Sequence, residues 1–380
     1  MTDLLKSPFH ELYEQHYPSL EWEEWGGYGS ATLMGDADEE IKTIRTGTVI
    51  FDMSPVVKYS IKGSDAETFL NKLTTRQMAI KPGRVRYTCW CNVDGKLLDD
   101  GTAFRVAADE YLLCPGDRHA EHFASVAKNM DVEVKDVTGE IASLTIQGKT
   151  SLSTLQKVGI RDLEVLTPYS FQTYDSPAGP IRISRTGFFG DLGYELWMQC
   201  DQAGVIWNRL IEAGGRPIGM ATLCNARVEA GMIIPGEGYD FEPASPDGRS
   251  PHPLNRSPLE MDLAFLISSK KDDFIGRDAL LAEKESGSTW AYVGLELDGK
   301  QASSHGDKVF CDDEEVGIVT SGLYSVSLER NIALASVKAE HRAMGTHFEV
   351  KTEGGKVSAV SVKKPFISPE RRNQTPAPAL

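Results

Sequence analysis

The chain has 380 residues, of which 41% are hydrophobic and 25% charged, and its formal net charge is −15. A chain of that size and make-up holds about two or three domain cores in a soluble globular protein. Its acidity argues against nucleic acid and an anionic membrane surface as partners, and no apolar run approaches the ~20 residues of a membrane span. The opening stretch from Met1 to Ser7 has no basic segment followed by an apolar one, so no signal peptide is read and a cytoplasmic location is expected.

In chain order, residues 1–46 begin with a short helical segment and pass into a stretch rich in aromatics and glycine (Trp22, Trp25, Gly26, Gly27, Tyr28). Residues 39–46 read as a helix leading into Val49-Ile50-Phe51-Asp52-Met53-Ser54, and residues 57–61 alternate as a strand. Ser64-Asp65-Ala66-Glu67 has the spacing of a capping box opening a helix to Leu73.

Residues 87–102 carry the strongest local signal. Asp94-Gly95 between two extended segments predicts a hairpin, because both turn positions tolerate positive φ. The second segment ends in Asp99-Asp100, which a hairpin does not need. Side chains alternate across a strand, so one of the two carboxylates faces inward, where it is either satisfied by backbone donors or held for a ligand.

Residues 111–113 read as a buried strand and 117–129 as a helix, with strands at 132–134 and 142–146. His119 and His122 stand at i, i+3 on that helix without a metal-binding pattern, and a surface role is expected. Gln147-Gly148 and the helix over 151–158 repeat the theme of Ile61-Lys62-Gly63-Ser64, which hints at a duplicated α+β unit. Of the six cysteines, Cys114, Cys200, Cys224 and Cys311 are expected free and partly buried. Cys89 and Cys91 lack the further ligands a metal needs, so no metal is expected.

Residues 181–185 alternate as a strand that runs into Gly187, Gly190 and Gly193. These read either as a glycine-rich hairpin loop or as a cradle for an anion. Glu195 follows inside a half-buried strand, with Tyr194, Leu196 and Met198 on one face and Glu195 and Trp197 on the other. Residues 203–213 and 218–231 contain two helices. The second ends in Arg227-Val228-Glu229, either a surface ion pair or a ligand contact. A Pro-, Asp- and Ser-rich insertion spans 236–257. Closely spaced short strands from Trp290 to Ile367 suggest a small antiparallel barrel, and the polar, Pro-rich tail after Pro369 is expected to be disordered.

Tyr87-Thr88, Asn92, Gly95 and Asp99-Asp100, with Phe51-Asp52-Met53-Ser54 before them and Gly317-Ile318-Val319-Thr320-Ser321-Gly322 after, follow one another in the order of a known family. Over roughly residues 25–368 the chain resembles the glycine-cleavage T-protein family, close to its folate-dependent demethylase relatives. The resemblance implies an α+β, three-part fold: two interleaved α+β units and a C-terminal antiparallel β-barrel. It divides the chain into an N-terminal extension (1–46) packing on the first domain, folate-binding α+β domains (47–282), a barrel (288–368) and a tail (369–380).

The resemblance also implies tetrahydrofolate as cofactor and a small-molecule substrate. The activity implied is a methyl or other one-carbon transferase, with Asp100 and Asp99 as its catalytic carboxylates and Asp100 the one that would orient or deprotonate folate N5. By the same resemblance Glu195 would hold the polar edge of the pteridine and Arg227 the folate tail, while Tyr87, Trp90 and Met53 would line the pocket. The chain departs from T-proteins in having Leu223-Cys224 where they usually carry Arg-Asp, and in the 236–257 insertion. Both departures point to a substrate other than an aminomethyl-lipoyl group. Two alternatives stand beside this reading: a folate-independent lyase releasing formaldehyde from a hydroxymethyl-bearing compound, and a non-catalytic folate-binding protein.

Overall fold

Two glycines mark the plan of the molecule. Gly63 and Gly148 each follow a strand and have φ of 138° and 118°. A β-carbon would lie 2.2 Å from the Asp131 carbonyl oxygen at Gly63 and 2.4 Å from that of Gly47 at Gly148, so backbone passes where any other residue would place a side chain. In a computed structural model that describes residues 4–236 and 255–373, each glycine opens the same series of elements. The first unit runs through strand Tyr59–Lys62, helix Ala66–Leu73, strands Val85–Cys91, Leu97–Ala107 and Glu110–Pro115, helix Ala120–Val126 and strand Glu133–Asp136. The second runs through strand Ala142–Gln147, helix Ser151–Val158, strands Phe171–Tyr174, Ile181–Ser184 and Gly193–Met198, helix Ala203–Glu212 and the short strand Arg216–Pro217.

The two sheets are ordered alike. In the five-stranded sheet the order is 85–91, 97–107, 110–115, 59–62, 133–136, and in the six-stranded sheet it is 171–174, 181–184, 193–198, 142–147, 49–52, 216–217. The extra strand, Val49–Asp52, precedes the first unit in sequence yet pairs with Ala142–Gln147 in the second sheet. The chain therefore starts in one sheet, builds the other and returns, which interleaves the two α+β units. The duplication hinted at by the strand–glycine–helix theme is a topological one.

Helix Ala66–Leu73 buries Ala66, Phe69, Leu70 and Leu73, the i, i+3, i+4, i+7 stripe of an amphipathic helix. Its predicted capping box does not form. The Ser64 hydroxyl donates to Asp131 and Glu67 pairs with Arg105, so tertiary partners take both side chains. Helix Ala120–Val126 is shorter than the sequence suggested. Helix His10–His16 lies over the second sheet, where Phe9 and Tyr13 pack on Trp207.

The C-terminal strands close into a six-stranded antiparallel barrel in the order 290–297, 330–338, 314–325, 308–311, 347–352, 355–362. One buried ion network ties it to the rest. Arg45 pairs with both Asp191 and Glu229. The other Glu229 oxygen accepts from the barrel hydroxyls of Ser325 and Ser327. Asp191 also accepts from Arg371 at 2.8 Å, on the short helix Glu370–Asn373 within the tail. Most of the insertion (237–254) and the last residues of the tail (374–380) lie outside the described residues.

Candidate active site

The hairpin forms as strands Val85–Cys91 and Leu97–Ala107, with Gly95 at φ 75° in the connection. Asn92 organises that connection: its side chain accepts from the N–H groups of Asp94 and Lys96 at 3.0 and 2.9 Å. Trp90 pairs with Asp99 but Cys91 with Leu97, so Leu98 is an extra residue that makes a bulge just before the two carboxylates.

Beyond the bulge the faces separate cleanly. Asp99 shares a face with Trp90, against the core of Phe69, Leu70, Leu73 and Phe123. It is fully buried and accepts from the N–H groups of Asp100 (2.7 Å) and Asp117 (3.0 Å) and bonds the His119 ring nitrogen Nε2 (2.8 Å). Burial pushes the Asp99 carboxyl up, while His119 and the two backbone donors pull it down. His119 itself is buried, with Trp90 edge-on at 5.5 Å, which overturns the expected surface role. It stands at the N-cap position of helix Ala120–Val126 without a side-chain capping bond, and no sequence pattern points from there to Asp99.

Asp100 faces the other way. Tyr87–Thr102, Cys89–Asp100 and Thr102–Cys114 are register pairs, so these five side chains share one face. The Tyr87 hydroxyl donates to Asp100 at 2.7 Å. Burial raises the Tyr87 phenol well above its ordinary range, and the adjacent Asp100 raises it further. Tyr87 and Cys89 pack with Val228, Ile233, Met261 and Leu323, which brings the end of helix Met220–Glu229 and the barrel onto this face.

Glu195 belongs to the second sheet. Its Oε2 accepts from the hydroxyls of Thr186 and Ser184, and its Oε1 accepts no hydrogen bond among the described residues. Burial raises its carboxyl, against the opposing pull of Thr186, Ser184 and Lys58. Burial pushes the Cys114 thiol up to about 12, Lys58 opposes the shift and Glu195 adds to it. Phe104, on the Asp100 face, packs edge-on against Trp197, on the Glu195 face, with ring centres 5.2 Å apart, so the two faces look toward each other.

Lys58, which the sequence reading passed over, is fully buried beneath this junction. Its ammonium donates to the carbonyls of Val56 (2.7 Å), Ser54 (2.9 Å) and Met53 (3.4 Å) and sits 5.7 Å from the centre of the Trp197 ring. Trp197 in turn donates its indole N–H to Ser184 at 3.2 Å. Desolvation brings Lys58 down to about 8.

Arg227 is almost fully buried. Its guanidinium donates to Ser321 on the barrel at 2.8 Å and to the Met232 carbonyl at 3.3 Å, so it is not in a surface pair with Glu229, which binds Arg45. Met53 packs beside Phe188, Phe51 and Leu223, at the edge of the second sheet. The structure thus brings Asp100 and Tyr87 together, sets Glu195 on the opposing sheet and Arg227 where helix meets barrel, and places Trp90 and Asp99 on the far side of the hairpin. Among the described residues no group of three or more His, Cys, Asp or Glu side chains could hold a metal ion.

The sequence profile of the GCVT N-terminal domain matches residues 12–247, and that of the glycine cleavage T-protein C-terminal barrel domain matches residues 291–367. The aminomethyltransferase of Geobacillus thermodenitrificans is 33% identical over 373 residues, covering 96% of this chain and 98% of its own length. That of Listeria monocytogenes is 31% identical over 372 residues, covering 96% and 99%. The crystal structure of the glycine cleavage system aminomethyltransferase T from Bartonella henselae superposes with a TM-score of 0.85 at 20% identity, covering 98% of this chain and 99% of that one, which establishes the fold. Fold and matches together define an enzyme that transfers one-carbon units. The chain belongs to the glycine cleavage T-protein (aminomethyltransferase) family, whose activity is folate-dependent one-carbon transfer.

Proposed function

We propose that this chain is a tetrahydrofolate-dependent methyl or one-carbon transferase that demethylates a small compound in the cytoplasm, at the junction of its two sheets. The observation that carries the reading is the pairing of a phenol-held carboxylate, Tyr87–Asp100, with an opposing carboxylate, Glu195, whose Oε1 accepts no bond among the described residues. A half-buried carboxylate with an open oxygen suits the N–H edge of a pteridine, which offers two donors side by side.

When bound, tetrahydrofolate supplies N5 as the acceptor of the transferred carbon. Asp100 is the residue that would take or hold the proton at that atom, with the Tyr87 hydroxyl fixing its direction. Glu195 would hold the pteridine edge and the planar fork of Arg227 a tail carboxylate. Tyr87 is the aromatic wall on the Asp100 side and Met53 lines the opposite edge. Trp90 and Asp99 act from behind, keeping the hairpin in shape. Positioning and charge placement at this junction would supply most of the rate. Leu223, buried beside Phe51 and Phe189, gives the second-sheet side an apolar wall in keeping with a small methylated compound.

The test is a thermal melt with tetrahydrofolate. Binding to the native state alone adds RT ln(1 + [L]/Kd), about 2.7 kcal/mol at a hundredfold excess over Kd. The melting point should rise, and methylfolate should form in a one-to-one ratio with demethylated product. Absence of any shift with saturating reduced folate overturns the reading.

A further inference from the structure

Three arginines gather at the edge of the first sheet without an acidic partner among the described residues. Strand Val85–Cys91 is the outermost strand of that sheet. Arg84 and Arg86 lie two residues apart on extended chain, so their side chains leave on the same side. The segment after helix Ala66–Leu73 runs antiparallel alongside, bridged at Thr74–Trp90, which carries Arg76 back toward the same place. The Arg76 guanidinium donates to the Tyr87 carbonyl at 3.0 Å. Arg84 donates to the Thr167 hydroxyl at 2.9 Å and the Pro168 carbonyl at 3.4 Å. Among the described residues the Arg86 side chain makes no hydrogen bond and none of the three forms an ion pair with Asp or Glu.

In a chain with 55 acidic side chains against 40 basic ones, such a cluster runs against the general charge. Burial lowers the Arg86 pKa and the like charges of Arg76 and Arg84 lower it further, with no acidic group opposing the shift. Arg76 and Arg86 are half-buried and Arg84 is exposed, and like charges held together with two of them partly desolvated cost free energy unless an anion joins them. The cluster borders the candidate active site through a single residue. Tyr87 offers its carbonyl to Arg76 and its hydroxyl to Asp100, and the half-exposed Tyr169, in the loop held by Arg84, influences the Tyr87 phenol.

We infer that Arg76, Arg84 and Arg86 form an anion site for a carboxylate-bearing ligand, distinct from the one assigned to Arg227. Planar guanidinium forks match carboxylates in pairs of hydrogen bonds, and three forks on one edge suit a ligand with more than one carboxylate. Resting on the folate-dependent reading, the carboxylates have two possible sources: an acidic one-carbon donor, or the glutamates beyond the first in a folate tail.

The experiment is titration calorimetry on the full chain with three probes: glutarate, tetrahydropteroyl-monoglutamate and tetrahydropteroyl-pentaglutamate. Wild type is compared with Arg76→Gln/Arg86→Gln, and Arg86→Lys serves as a second variant that keeps the charge but loses the fork. Glutarate should bind wild type, weaken about tenfold or more in the double variant and weaken less in Arg86→Lys. If the source is the tail, pentaglutamate binds wild type at least about tenfold tighter than monoglutamate, and the double variant erases that difference. If the source is the donor, the two folates bind alike and glutarate still binds beside saturating monoglutamate. Equal binding of all three probes by wild type and both variants overturns the site. Failure of either folate to bind wild type while glutarate still does overturns the folate reading instead and leaves this site standing.

Discussion

Replacing Arg45 by Met tests whether the buried ion network holds the three parts of the fold together. The Arg45 side chain is 8% exposed and its partners Asp191 and Glu229 are 4% and 0% exposed. It also donates to the Phe189 carbonyl at 2.8 Å. Removing one partner of a buried pair typically costs about 3–5 kcal/mol, because the remaining charge stays buried without compensation. Here compensation is partial: Glu229 keeps the Ser325 and Ser327 hydroxyls, and Asp191 keeps Arg371. The expected loss is therefore near the lower end, about 3 kcal/mol. Urea unfolding gives the value directly. In a cycle with Glu229→Gln, the double variant should recover at least about 1 kcal/mol relative to additivity, since the two side chains share hydrogen bonds. Glu229 shares its helix with Arg227, so affinity for the proposed folate tail should weaken as well. A loss under about 1 kcal/mol with additive single effects would refute the idea that this network locks barrel to sheets.

Other outcomes follow from the same geometry. Asp100→Asn should cut turnover about a hundredfold or more with folate affinity largely retained, which separates proton handling from binding. Asp99→Asn should act on stability instead, losing about 2 kcal/mol, because an amide nitrogen cannot accept from the Asp117 N–H. Turnover per folded molecule should stay within a few-fold, and a large specific loss would show that the two faces are wrongly assigned. Lys58 gives a pH dependence. Its pKa of about 8 in the folded chain lies below the ordinary 10.5, so between those values the unfolded chain binds the extra proton and stability rises with pH. The stability difference between wild type and Lys58→Met should therefore grow in favour of wild type by up to about 3 kcal/mol from pH 8 to 10.5, and a flat difference would refute the burial argument.

Much of the architecture was legible in local pattern. The Asp94-Gly95 turn, the alternation through residues 193–198 and the barrel strands all express a two-residue period, which sterics impose on any extended chain. The same period already separated Tyr87 from Trp90, three residues apart on one strand, although both were expected to line one pocket. It also showed that Asp99 and Asp100 part company, yet not which of them faces the other sheet. Both faces of this sheet are covered, so neither carboxylate sat in an obviously polar register.

Tertiary packing settled the rest. The expected capping box at Ser64 and Glu67 yielded to Asp131 and Arg105, whose distance along the chain hides them from any local signal. His119, polar and at a helix start, gave no sign that its partner would be Asp99 on the adjacent hairpin. Lys58 lies in an ordinary alternating strand segment, and only the return of the chain from one sheet to the other places Trp197 beside it. Short-range order follows from backbone sterics and side-chain period, which each stretch of residues carries with it. The facing of the Asp100 strand toward the Glu195 strand, or the meeting of Arg45 with Glu229, depends on how interleaved sheets and barrel close on one another, and no stretch of sequence contains that closure.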